Sequence, residues 1–158
     1  MESGRSLYES LNSAIRFSGK VYSSAVKDSE FTMNVASDII FAPEGEMNFS
    51  FDYYHEGTPV AVNVKVGDED MLHGAEVKVI NGKIVKFRML IREYRETTDK
   101  REIMNIYGAI DKVAGAYSDA LSPVRINDVF LAYKEDGNSE NLIPCWVSYA
   151  EGSRIVLD

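Results

Sequence analysis

The sequence predicts an α+β fold, antiparallel sheet with packed helices, on three observations. Asn81-Gly82 sits between two alternating apolar runs, residues 47–53 and 60–66 alternate apolar with polar, and residues 103–121 carry apolar side chains at helical spacing. Asn-Gly is the strongest of these signals, because both central residues of a type I′ hairpin turn need positive φ. A chain of 158 residues, 45% hydrophobic and 27% charged, fits one soluble domain, 1–158, able to bury a sizeable core. Nine tyrosines, seven phenylalanines and one tryptophan suit a strand-rich protein, since aromatic rings pack well on a pleated surface.

The elements follow in chain order. Ser6 and Glu9 read as a capping box, and Leu7, Leu11, Ala14, Ile15 and Ser18 recur at helical spacing, so a helix is expected over Leu7–Ser18. Val21, Tyr22, Ala25 and Val26 would extend it past Gly19. Ile39-Ile40-Phe41, the turn residues Pro43-Glu44-Gly45, and Met47, Phe49, Phe51 and Tyr53 then make a hairpin. Val60, Val62, Val64 and Val66 predict a third strand, and Gly67 to Asp70 an acidic turn. Ala75, Val77 and Val79 lead into Asn81-Gly82, and the return strand runs from Ile84 to about Tyr94.

Thr97-Thr98-Asp99, with Glu102, supplies caps for a helix from about Asp99 to Leu121, which Pro123 stops. Its apolar stripe comprises Ile103, Ile106, Tyr107, Ile110, Val113, Ala114, Tyr117 and Leu121. Strands are expected over Asp128–Tyr133, Leu142–Tyr149 and Ile155–Leu157. Aligned by element order, Asp38-Ile39-Ile40-Phe41-Ala42 and Tyr54-His55-Glu56-Gly57 parallel Asp128-Val129-Phe130-Leu131-Ala132 and Tyr149-Ala150-Glu151-Gly152. That order suggests pseudo-repeat halves, 1–66 and 67–158.

Charge and composition restrict the function. A net charge of −8 disfavours nucleic acid and anionic membranes, which select clustered Lys and Arg. Met1 to Ser6 lacks the start of a secretion signal, and no apolar stretch approaches the roughly 20 residues that span a bilayer, so the chain is expected to be soluble as given, without inserting, any tether lying outside it.

Cys145, the single cysteine, allows no disulfide framework and reads as a buried thiol on the opposite strand face from Trp146. His55 and His73 read as solvated loop histidines without the convergent partners of a catalytic or metal site. Asp68, Glu69 and Asp70 lack the loop pattern of a calcium hand and read as a solvated turn. The scattered glycines form no phosphate cradle and no Gly-x-Ser-x-Gly elbow occurs, so no cofactor, metal or enzymatic activity is expected. An enzyme reading would need Glu93, Asp111 or Asp128, lone carboxylates that normally sit on surfaces.

Two candidate surfaces remain. Lys86, Arg88 and Arg92 share parity on the long return strand, either as a docking stripe or as a solvated face paired with neighbouring acids. Tyr53, Tyr107, Tyr117, Tyr133 and Trp146 would line a cleft between the two halves in a small-molecule or peptide-binding module.

Tyr53-Tyr54-His55-Glu56-Gly57-Thr58-Pro59-Val60, the run Val77 to Ile84 about Asn81-Gly82, the helix, Asp128 to Tyr133 and Leu142 to Val147 together resemble the extracytoplasmic domains of the YycI/YycH two-component-system regulatory proteins. The resemblance covers roughly residues 47 to 150, its most specific part being the Pro144-Cys145-Trp146 strand after a Tyr-ended strand. PepSY-type domains share the same helix-plus-hairpin logic. The resemblance implies a non-enzymatic domain on the outer face of a Gram-positive-type membrane, modulating a cell-envelope histidine kinase through contact with that kinase, a paralogous regulator, or a second copy in a homodimer.

Overall fold

The computed structural model describes residues 7–26, 32–36, 40–41, 46–94, 100–136 and 141–157. In chain order these form α1 (Leu7–Ala25), β1 (Thr32–Val35), β2 (Ile40–Phe41), β3 (Glu46–His55), β4 (Thr58–Ala61), β5 (Val64–Val66), β6 (Glu69–Met71), β7 (Ala75–Ile80), β8 (Lys83–Met89), α2 (Ile106–Ala116), β9 (Ile126–Glu135), β10 (Leu142–Ala150) and β11 (Ser153–Leu157). The fold is α+β, as the sequence predicts. Two compact units emerge, Met1–Gly57 with Val62–Glu96, and Thr58–Ala61 with Thr97–Asp158. Their bounds do not coincide with the pseudo-repeat halves 1–66 and 67–158.

In the first unit β3 is the organising strand. It pairs antiparallel with β1 and β2 along one side and with β7 along the other, and β7 pairs with β8. Phe49, Phe51, Ala75, Val77 and Val79 are buried together beneath Ala14 of α1, with Leu11, Met33, Val35, Met47, Ile84, Phe87 and Met89 packed around them. The helix meets the sheet through Ser10, Ala14 and Ser18, one small residue per turn, because small side chains let the helix approach closely. Leu7 and Ile15, expected on the apolar stripe, are instead 41% exposed. The helix does continue past Gly19, to Ala25. Ser6 of the expected capping box, Ile39 and Pro43-Glu44-Gly45 lie outside the described residues.

Asn81 and Gly82 have φ of 49° and 75°, the left-handed pair that a type I′ turn requires. Glu56-Gly57 (47°, 80°) and Glu151-Gly152 (49°, 73°) adopt the same pair, so the repeated letters carry a repeated turn geometry. Two strand expectations change. The run Val60–Val66 is broken at Val62 and Asn63: β4 pairs in parallel with β9, while β5 pairs antiparallel with β6. The return strand ends at Met89, not at Tyr94.

The second unit is a sheet in the order β11-β10-β9-β4, with α2 packed against β10 and β11. Cys145 and Val147 pack with Ala61 and Ala132, whereas Trp146, Ala150 and Leu157 pack with Ala109 and Val113 of α2. The expected alternation of Cys145 against Trp146 is therefore observed. Burial pushes the Cys145 thiol up to about 11.

The predicted helix Asp99–Leu121 is shorter, Ile106–Ala116, and Asp99 lies outside the described residues. Its start is decided by two hydrogen bonds. Trp146 Nε1 donates to the Met104 carbonyl at 2.8 Å, and the Gly108 amide donates to Asn105 Oδ1 at 2.9 Å. The Met104 carbonyl thus serves a tertiary contact while Asn105 caps the first turn. At the other end Tyr117 caps the helix and a turn follows it. Of the predicted stripe, Val113 is buried, together with Ala109, but Ile103, Ile106, Tyr107, Ile110 and Leu121 are exposed.

Gly74 is needed because a Cβ there would lie 2.7 Å from Tyr53 Cδ2 and 3.2 Å from the Phe51 carbonyl oxygen. Gly74→Ala is therefore expected to destabilise the protein by about 1–3 kcal/mol, the usual cost of overpacking a filled core. Urea unfolding monitored by circular dichroism checks this, and a loss within error of zero would show that the Tyr53 ring moves aside freely.

Candidate functional site: the charged face of the first sheet

Strand alternation gives the first unit's sheet a second face. Along β3 the residues between the core positions are Glu46, Asn48, Ser50 and Asp52. The register sets Asn48 opposite Lys78 and Ser50 opposite Glu76, and in turn Lys78 opposite Lys86 and Glu76 opposite Arg88. A register irregularity between Lys78 and Val79 keeps Ile84 with the core while Lys86 and Arg88 stay on the polar face.

The charges on this face are paired. Lys78 Nζ lies 2.7 Å from Glu46 Oε1. Arg88 donates through Nε (3.1 Å) and Nη2 to Glu76 Oε2, and through Nη1 (2.6 Å) to Glu69 Oε2 of the β5–β6 hairpin. Lys86 Nζ reaches the same Glu69 oxygen at 3.0 Å. Lys86, then Arg88, hold the Glu69 carboxyl below its ordinary value, and Lys78 does the same for Glu46. The sequence reading of Lys86 and Arg88 as a face paired with neighbouring acids describes this arrangement, and Arg92 lies exposed beyond the end of β8.

At the upper end of the face is a feature that sequence reasoning missed. His73 is only 7% exposed, and its Nδ1 lies 2.9 Å from Oδ1 of Asp52, itself 9% exposed. His73 is thus no solvated loop residue. Burial, then the charge of Asp52, raises the hydroxyl pKa of Tyr54, the next residue on the same face of β3. A carboxylate on an imidazole nitrogen fixes the ring's orientation. The usable sequence signal was positional: His73-Gly74 immediately precedes a strand whose first residue, Ala75, pairs with Phe51, next to Asp52.

The other sequence-selected residues are spread through both units. Tyr53 is fully buried in the first, where its hydroxyl donates to the Leu90 carbonyl and its ring packs against Tyr22 and Tyr94 at centroid distances of 5.5 and 5.9 Å. Burial, then the neighbouring Tyr22, pushes that hydroxyl up to about 12. Tyr107, Tyr117, Tyr133 and Trp146 belong to the second unit. Tyr117 donates to the Ala150 carbonyl at 3.2 Å and Trp146 to that of Met104, so both polar tips are engaged in holding α2 to its sheet. Tyr133 is half-buried on β9, and Tyr107 is 77% exposed. Glu93, Asp111 and Asp128 are exposed.

Among the described residues no group of three or more His, Cys, Asp or Glu is placed to hold a metal ion. Within the same residues no helix is long and apolar enough to cross a membrane. The sequence matches no protein-family model and no curated protein.

Asp52 and His73 are expected to act as one unit in stability. Asp52→Ala alone should cost about 3 kcal/mol, because it leaves a buried polar partner behind. The double variant Asp52→Ala/His73→Ala should cost less than the sum of the two single variants by about 1–3 kcal/mol. Chemical denaturation of the four proteins measures this coupling, and additive losses would show that the pair contributes nothing as a pair.

Proposed function

We propose that this chain is a non-enzymatic protein-interaction domain whose outward face of α2 docks a partner protein. One observation carries the reading: α2 is anchored through Ala109 and Val113 and presents Ile106, Tyr107 and Ile110 to solvent. Ala109 and Val113 are completely buried, while Ile106 and Ile110, with Ile103 just ahead of the helix, are 38–41% exposed and Tyr107 is 77% exposed. Burying such side chains against a partner is favourable by roughly 25 cal/mol per Å² of apolar area removed from water. Their neighbours in the chain, Lys100, Arg101, Glu102, Asp111 and Lys112, are exposed and of both signs. An apolar centre with an aromatic anchor and a charged rim is the usual anatomy of a protein interface, and the mixed rim favours neither nucleic acid nor an anionic bilayer.

The partner class comes from the sequence resemblance to the YycI/YycH regulators. On that reading the domain acts on the extracytoplasmic side of the membrane and modulates a cell-envelope histidine kinase. The resemblance supplies the kinase, and the exposed α2 face supplies the means of contact.

Tyr107→Glu is expected to leave the melting temperature unchanged, since surface substitutions usually lie within about 0.5 kcal/mol of neutral. It should weaken binding to the purified extracytoplasmic domain of a cell-envelope histidine kinase at least tenfold, or about 1.4 kcal/mol, as measured by interferometry. Undiminished binding by the variant contradicts the α2 surface. Absence of binding by the wild-type chain contradicts the kinase assignment.

A further inference from the structure

The β5–β6 hairpin makes a two-stranded sheet of its own, and residues from Lys65 to Asp70 are exposed. Short isolated hairpins are marginal in water, so this one depends on how it is anchored. Its base is apolar: Val62 is 4% and Met71 1% exposed. Its tip is tied to the sheet by Glu69, whose Oε2 accepts hydrogen bonds from both Lys86 and Arg88.

The two sides of that contact are unequal. The Arg88 side chain is 21% exposed and is braced from below by Glu76, whereas the Glu69 side chain is 60% exposed on a three-residue strand. The cations belong to a strand paired within the larger sheet and the carboxylate to an exposed two-stranded hairpin. We propose that Lys86 and Arg88 form a binding site for a side-chain carboxylate in an acidic segment of a partner protein, which Glu69 occupies as an intramolecular competitor.

The bound carboxylate itself identifies the ligand chemistry. Glu69 is a glutamate presented from an extended strand, so the site accepts a peptide-borne carboxylate at 2.6–3.0 Å from two cationic donors. Glu46 and Glu76 on the same face, with a net charge of −8, disfavour an extended anionic surface such as a bilayer. Exposed ion pairs are weak and salt-screened, so displacement of Glu69 is within reach of an incoming acidic side chain. A competitor that fills the site most of the time lowers apparent affinity by the fraction of time the site is open. This surface lies in the first unit and α2 in the second, so either can fail without the other.

The test is fluorescence anisotropy with a labelled, otherwise neutral ten-residue peptide carrying one central glutamate, called the glutamate peptide, and its glutamine counterpart, on the full chain. Glu69→Gln and Glu69→Ser should each bind the glutamate peptide about five-fold more tightly than wild type, with affinity falling as salt rises. Adding Lys86→Gln to either should abolish the gain, and the glutamine peptide should not distinguish the proteins. Circular dichroism confirms that the variants stay folded, and two different replacements guard against an effect peculiar to one. Equal affinities for wild type and both Glu69 variants overturn the proposal. So does a gain that survives Lys86→Gln, or a gain seen with phosphatidylserine vesicles and not with the peptide.

Discussion

The first unit depends on the meeting of two dipeptides, Asp52-Tyr53 on β3 and His73-Gly74 ahead of β7. Alternation sends Tyr53 into the core and Asp52 to the polar face. The approaching chain answers each in kind: Gly74 leaves room for the Tyr53 ring, and His73 meets the Asp52 carboxylate. A single point of contact therefore fixes the strand register, closes the aromatic cluster under α1 and sets which residues of β7 face outward. A slip of one residue would bury Glu76 and Lys78 in place of Val77 and Val79.

From that register the rest of the charged face follows. Lys78 and Glu76 emerge beside Glu46 and Arg88, and the acids and bases pair across strands instead of forming a single-signed stripe. The β5–β6 hairpin contributes a further carboxylate to this face, Glu69, from an exposed, short-stranded support. The second unit follows a different logic. Tyr117 and Trp146 hold the ends of α2 to backbone carbonyls, Ala109 and Val113 seat it, and Ile106, Tyr107 and Ile110 are left outward.

Local signals made much of this legible in the sequence. Asn81-Gly82 carries its turn in its own dihedral preferences, and the alternation from Met47 to Tyr53 needs only the two-residue period of a strand. The shared parity of Lys86 and Arg88 placed them on one strand face, while leaving open whether that face docks a partner or pairs with neighbouring acids. What escaped was whatever depended on distant partners. The start of α2 is moved by Trp146, forty-two residues beyond Met104, and His73 is buried by a carboxylate twenty-one residues earlier. Helical spacing alone located an apolar stripe in α2 but could not say that Ala109 and Val113, not the isoleucines, face the sheet. Likewise nothing in the run of valines from 60 to 66 betrays the break at Asn63, which tertiary pairing imposes.

Because β5 and β6 pair only with each other, the hairpin is expected to open independently of the frame that β3 and β7 form. Native-state hydrogen exchange resolved by residue tests this most directly, because frames exchange through global unfolding and separate hairpins through local opening. The hydrogen-bonded amides of β3 and β7 are expected to be the most protected of the first unit. Those of residues 64–70 should exchange at least a hundredfold faster, the equivalent of about 2.7 kcal/mol. Equal protection of hairpin and frame would contradict it.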